Sequence, residues 1–289
     1  MIIDEKVLGM IKNMRQGDKE RTDRANIIGS EEFIPTRAGK TRVLVYKTEN
    51  STSLSPVFFD VHGGGFIAGL PEDDDRFCDE LRKELNITVI SIDYRLAPDH
   101  MWPAGINDTY DVVEYVSLHK EEFGIDSDNM AIGGHSAGAN ISTVVCMLAK
   151  QSGKFSFKCQ VLDYPPLDVA TPGTEKFYIE GAIPPEVAAM FDKCYRKDEE
   201  AKNPHCSPVY ASNEELKGLP PAVVITCEID SLRDEGEDYA QKLIKAGVET
   251  IAKRFYGVWH GFTIGAPDLK ESKEAYRMIA DGVKKYLGR

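Results

Sequence analysis

From Val57 onward the chain alternates short apolar runs with stretches whose apolar residues recur every three or four positions. The apolar runs at 57–61, 88–92, 130–133, 157–162, 222–226 and 250–255 read as strands, several of them rich in β-branched residues. Between them lie helical patterns. Phe77, Cys78, Leu81 and Leu85 share one face of a helix over 73–85, and Ile106, Tyr110 and Val113 mark the next. Ile141, Val144, Val145 and Leu148 follow, then Tyr239, Leu243 and Ile244, and finally Ala275, Ile279 and Val283. Alternation of this kind predicts an α/β protein with a mostly parallel sheet and helices on both faces. A further strand at 41–47 precedes the alternation and is expected to pair antiparallel at the sheet's edge.

Two segments break the pattern: roughly the first 35 residues, and about 168–211, where Pro, Gly, Lys and Glu are mixed with Phe177, Ile183, Val187 and Phe191. A long insertion between sheet elements usually carries function. The chain therefore reads as one domain over 1–289, with about 1–35 and about 168–211 together forming a helical cap over an active site.

Composition narrows the class. The 289 residues are 42% hydrophobic and 28% charged, with a formal net charge of -12. Such an acidic surface repels nucleic acid and anionic membranes, so neither is expected as a partner. No apolar run approaches the roughly 20 residues of a membrane helix. The charged N-terminus does not resemble a signal peptide. The six cysteines (Cys78, Cys146, Cys159, Cys194, Cys206 and Cys227) contain no C-x-x-C pair. That suggests neither a zinc site nor a disulfide framework, and a reducing cytoplasm is the expected compartment.

Candidate chemistry sits at the turns. Gly134-His135-Ser136-Ala137-Gly138 is a G-x-S-x-G run between a predicted strand and a predicted helix. That context forces a sharp turn and presents Ser136 as a nucleophile at a helix N-terminus. The neighbouring His135 should point away from the serine hydroxyl. His62-Gly63-Gly64-Gly65 directly follows the strand ending at Val61. Its glycines let backbone N–H groups approach a developing oxyanion, with Gly64 and Gly65 favoured over Gly63, and with the N–H of Ala137 as the other donor. A general base must lie downstream. His260, in a loop beyond the strand over 250–255, is favoured over His205, which belongs to the presumed cap. Asp230, straight after the strand over 222–226, is the first choice to orient it, and spacing leaves Glu228 and Asp234 open.

With these residues in place, the sequence resembles the hormone-sensitive-lipase-like family of α/β-hydrolase esterases, which includes bacterial acetyl esterases. The likeness spans about 56–262. It is carried by His62-Gly63-Gly64-Gly65-Phe66, Tyr94-Arg95-Leu96-Ala97-Pro98, the 134–138 elbow, Asp230-Ser231-Leu232-Arg233-Asp234-Glu235 and His260-Gly261-Phe262. It implies the α/β-hydrolase fold and a Ser136, Asp230, His260 triad acting through an acyl-enzyme on small short-acyl esters. It calls for no cofactor and no metal, and allows a homodimer. A deacetylase or amidase acting on a small acylated metabolite or sugar would use the same residues. A ligand-binding member without turnover is the alternative of another class. Three departures stand out: His135 where the family usually has Asp, Asn140 where a second Gly is common, and Ser231 where Pro is usual.

Overall fold

The structure has eight strands, β1 (Ser30–Thr36), β2 (Gly39–Tyr46), β3 (Ser55–Val61), β4 (Thr88–Asp93), β5 (Ile125–His135), β6 (Cys159–Asp163), β7 (Ala222–Ile229) and β8 (Thr250–Trp259), of which β2 to β8 are the seven expected. The helices are α1 (Glu5–Arg21), α2 (Asp75–Leu85), α3 (Ala104–Leu118), α4 (Lys120–Phe123), α5 (Ala137–Ser152), α6 (Pro185–Tyr195), α7 (Asn213–Leu216), α8 (Arg233–Lys245), α9 (Phe262–Gly265) and α10 (Lys270–Leu287); the five periodic stretches become α2, α3, α5, α8 and α10. These elements come from a computed structural model that describes residues 5–21, 26–48 and 54–288.

The strands form one sheet in the order β1-β2-β4-β3-β5-β6-β7-β8. Strands β3 to β8 pair in parallel, whereas β2 pairs antiparallel with both β1 and β4. β3 and β6 are buried at every position, as strands covered on both faces must be. One apolar cluster packs α3, α5 and α8 on one face of the sheet, and another packs α2 and α10 on the other. A third, smaller cluster joins Ile11 of α1 to Ile67, Ala68, Ala97 and Cys194.

Three boundaries differ from expectation. The edge belongs to β1, not to the strand over 41–47, which lies one position inward between β1 and β4. Residues 30–35, read with the N-terminal cap segment, are sheet: Phe33 faces solvent while Ile34 is buried, an alternation concealed by the flanking Glu31, Glu32 and Pro35. Residues 1–4 and 22–25 of that segment lie outside the described residues. β8 runs on to Trp259, because the outer edge of a sheet keeps pairing after its apolar run has ended.

The order reverses at β3, whose parallel neighbours are β4 on one side and β5 on the other. The loops leaving β3 and β5 therefore start side by side at the carboxyl edge of the sheet, where open α/β sheets form their binding crevice. The approach is very close. A Cβ on Gly138 would lie 1.8 Å from the Val61 carbonyl oxygen, and one on Gly134 would lie 2.4 Å from the same atom. Backbone contacts this tight cannot relax by a rotamer change. Gly138→Ala is accordingly expected to destabilise the protein by at least about 1–3 kcal/mol in urea unfolding. Gly9→Ala, in an open helical position, should leave stability unchanged or raise it by up to about 1 kcal/mol.

Candidate active site

Ser136 sits between β5 and α5 with φ 53° and ψ −120°, a left-handed conformation rare for a residue with a side chain. The turn is held by hydrogen bonds on both sides: Ser136 N–H donates to the Asp163 carbonyl (2.8 Å), and the Ser136 carbonyl accepts from Ala139 N–H (2.9 Å). The strained serine is thereby lifted to the crevice floor, where it is 9% exposed.

The loop after β3 folds back beside it. Gly64 and Gly65 have φ 117° and 60°, and a Cβ on Gly64 would meet the Ala68 carbonyl oxygen at 2.0 Å. Gly63 rests against Ser136: a Cβ there would lie 3.5 Å from the serine Cβ. Among the described residues, no hydrogen bond takes up the N–H of Gly63, Gly64, Gly65 or Ala137. The three glycines line the cavity above the serine.

The remaining two groups arrive from the far side of the sheet. Asp230 follows β7 and is 1% exposed; its Oδ1 accepts from Leu232 N–H (3.0 Å). His260 follows β8, with Gly261 turning the chain at φ 85°. The imidazole spans the two: Nδ1 lies 2.8 Å from Asp230 Oδ2, and Nε2 lies 2.8 Å from Ser136 Oγ. A carboxylate can only accept, so Nδ1 carries the proton and Nε2 is left to accept from the serine hydroxyl. Burial favours the neutral ring, but the Asp230 charge and hydrogen bond outweigh it, and the His260 pKa is raised.

The alternatives lie elsewhere. His205 Nε2 contacts Gln151 at 3.1 Å, outside the crevice. Glu228 accepts from Gly257 N–H, and exposed Asp234 accepts from Arg233 at the start of α8. His135 points away from Ser136 Oγ, with Nδ1 on Asp163 Oδ2 at 2.8 Å. Asn140 donates to the carbonyls of Pro166 and Cys206, tying α5 to both ends of the 168–211 insertion.

A cavity of about 670 Å³ opens over Ser136 and His260. Val187, Ala188 and Phe191 from α6 form part of its wall, and Met14 and Asp18 of α1 also reach it. Two contacts here have no sequence signature, because each joins residues dozens of positions apart. The rings of Phe66 and Tyr195 stack with centroids 3.6 Å apart. Lys176 and buried Glu235 pair at 2.7 Å, while Glu235 Oε1 accepts from Leu167 and Asp168 N–H groups.

The model of a protein family described by the alpha/beta hydrolase fold matches residues 58–264. The chain belongs to this family, in its hormone-sensitive-lipase-like branch. It is 35% identical over 224 residues to an arylesterase of Saccharolobus solfataricus, covering 75% of this chain and 71% of that protein. A putative alpha/beta hydrolase of Acanthamoeba polyphaga mimivirus is 30% identical over 281 residues, covering 92% and 81%. Among solved structures, a hyperthermophilic esterase from Pyrobaculum calidifontis superposes with a TM-score of 0.87 at 35% identity, covering 98% of this chain and 91% of that one. This α/β-hydrolase is a carboxylic ester hydrolase. No helix among its described residues is long and apolar enough to cross a membrane.

An imidazole that must be neutral to accept a proton loses that capacity as pH falls through its pKa. The raised His260 pKa therefore predicts an acid limb in kcat/KM lying above the ordinary histidine value of about 6.5. Asp230→Asn should cut kcat by a factor on the order of 10⁴, measured by initial rates with an aryl ester.

Proposed function

We propose that Ser136 is the nucleophile of a serine carboxylesterase, with His260 as general base and acid and Asp230 as its orienter. The observation that carries this reading is the unbroken Ser136–His260–Asp230 hydrogen-bonded chain, 2.8 Å at each step, opening into a cavity.

The serine hydroxyl attacks the ester carbonyl carbon as its proton passes to His260 Nε2. Asp230 holds the ring in the required tautomer and stabilises the imidazolium that forms. Negative charge gathers on the former carbonyl oxygen and is met by N–H groups of Gly64, Gly65 and Ala137, with Gly63 as the third loop donor. His260 then protonates the departing alcohol. Water, deprotonated by the same nitrogen, releases the acid and restores the serine. None of these steps calls for a metal or an organic cofactor.

The substrate in this reading is a small ester with a short acyl chain. Support comes from the family resemblance and from the apolar wall formed by Val187, Ala188, Phe191 and Leu232, which suits an uncharged acyl group. α1 and the 168–211 insertion are read as the cap that shields this space. That reading is supported by the cavity contacts of Met14 and Asp18 and by the Arg15 guanidinium, which donates to the Ile67 and Ala97 carbonyls (2.7 and 2.6 Å). It acts as a soluble enzyme of the cytoplasm, consistent with all six cysteines being free and buried.

Ser136→Ala should lower kcat for p-nitrophenyl acetate by at least about 10⁴-fold while circular dichroism stays unchanged. The wild-type protein should be labelled stoichiometrically at Ser136 by a fluorophosphonate. Across aryl esters from acetyl to decanoyl, kcat/KM should be highest at the short end. Near wild-type turnover in the alanine variant would remove Ser136 from the role, and a maximum at decanoyl would overturn the short-acyl assignment.

A further inference from the structure

His135 adjoins the nucleophile in sequence but lies behind it in space. Strand alternation in β5 turns its ring into the interior, where it is 3% exposed. Three carboxyl groups from three elements converge on that ring. Asp163, at the end of β6, meets Nδ1 at 2.8 Å; Asp60 of β3 faces Nε2 with Oδ1 at 4.0 Å. Asp74 closes the group from the 3₁₀ turn Pro71–Asp74: one carboxylate oxygen of Asp60, one of Asp74 and a ring nitrogen of His135 lie within 4.8 Å of one another. The Tyr164 hydroxyl lies 3.5 Å from Nδ1, and Phe77 of α2 presents its ring edge-on at 4.8 Å. Cys78 and His62 are the other titratable groups acting on Asp60, and Asp73 acts on Asp74. None of these neighbours is a lysine or arginine. Three carboxyl groups taken out of water need either protons or a cation.

The same carboxylates lead back to the active site. The Asp163 main chain accepts from Ser136 N–H, and its Oδ2 accepts from Thr263 Oγ1 at 2.6 Å. Thr263 stands three residues beyond His260. Its hydroxyl proton is committed to Asp163, so it must accept from the Tyr164 hydroxyl, 2.6 Å away. The Tyr164 ring in turn lies edge-on to the His260 imidazole, with centroids 4.9 Å apart.

We infer that His135 is a buried imidazolium acting as a positioning residue: it anchors Asp163, and through Asp163 locks the serine turn to the turn that carries His260. Burial opposes the charge, but Asp74, Asp163 and Asp60 outweigh it and hold the His135 pKa up to about 9. Burial, reinforced by Asp60, pushes Asp74 well above the usual carboxylate range. A divalent metal would use the same three ligand types. Zinc bonds of about 2.0–2.2 Å could span Nε2 and an oxygen 4.0 Å away only at an angle far wider than tetrahedral.

The inference deepens the esterase reading, and its first test is independent of turnover. Residue-assigned ¹⁵N imidazole NMR of the wild-type protein should find His135 protonated at both nitrogens at pH 8. A neutral ring there would overturn the inference, as would one equivalent of tightly held divalent metal in the purified protein. The second test compares wild type with His135→Asn, which keeps a donor towards Asp163 but cannot carry charge. With active sites counted by fluorophosphonate, kcat should fall about 10- to 100-fold with KM little changed. The gap should narrow as pH rises through about 9 and the wild-type ring loses its proton. A variant with wild-type kcat per labelled site, or a gap independent of pH, would overturn the positioning role. Failure of the wild-type protein to label or turn over esters would instead sink the esterase reading while leaving the NMR result standing.

Discussion

Backbone-to-backbone contact at the centre of the sheet sets everything above it. The Val61 carbonyl oxygen is approached so closely by the segment around Ser136 that Gly134 and Gly138 leave no room for a Cβ. That contact presses the serine turn against the loop leaving β3, so Ser136 and the glycine loop become one rigid object. Because β3 and β5 are parallel neighbours at the reversal of strand order, the object stands at the crevice without any side chain having to place it. The positive φ of Ser136 is strain of a kind that persists only when its surroundings over-determine it.

The imidazole and carboxylate that reach Ser136 are supplied from the other half of the sheet. Asp230 and His260 follow neighbouring parallel strands, β7 and β8, and reach Ser136 across β6. Their mutual bond is buried at the aspartate end, which fixes the ring before any ligand is present. Preorganisation of this sort avoids ordering the groups during the reaction. The short strand β6 matters more than its five residues suggest, since Asp163 and Tyr164 at its end link both halves.

Much of this was legible in the chain before folding. Strand and helix periodicity marked the sheet and its flanking helices, and glycine spacing marked the two turns that approach Ser136. Asp230 could be separated from Glu228 and Asp234 only by family likeness, because three carboxylates within seven residues satisfy the same spacing. Only in the fold does Glu228 turn to the Gly257 N–H. Edge elements were the least readable: in β1 the buried Ile34 stands next to the exposed Phe33, and Glu31, Glu32 and Pro35 flank the two. The polar assembly under the serine was invisible for a different reason. Asp60, Asp74, His135 and Asp163 lie far apart in sequence, and buried charge leaves no periodic trace.

The insertion over 168–211 is stapled at its base. Glu235 accepts from the N–H groups of Leu167 and Asp168 where it departs, Ser207 Oγ accepts from Val169 N–H where it returns, and Asn140 grips the carbonyls of Pro166 and Cys206. Departure and return are thus clamped to each other and to α5, the helix behind Ser136. What lies between touches the floor again at the Phe66–Tyr195 stack and the Lys176–Glu235 pair, so these positions must hold while the stretches between them can drift in length and side chain. Such a molecule can remodel the α6 wall of its cavity between those contacts without disturbing the Ser136–His260–Asp230 hydrogen bonds.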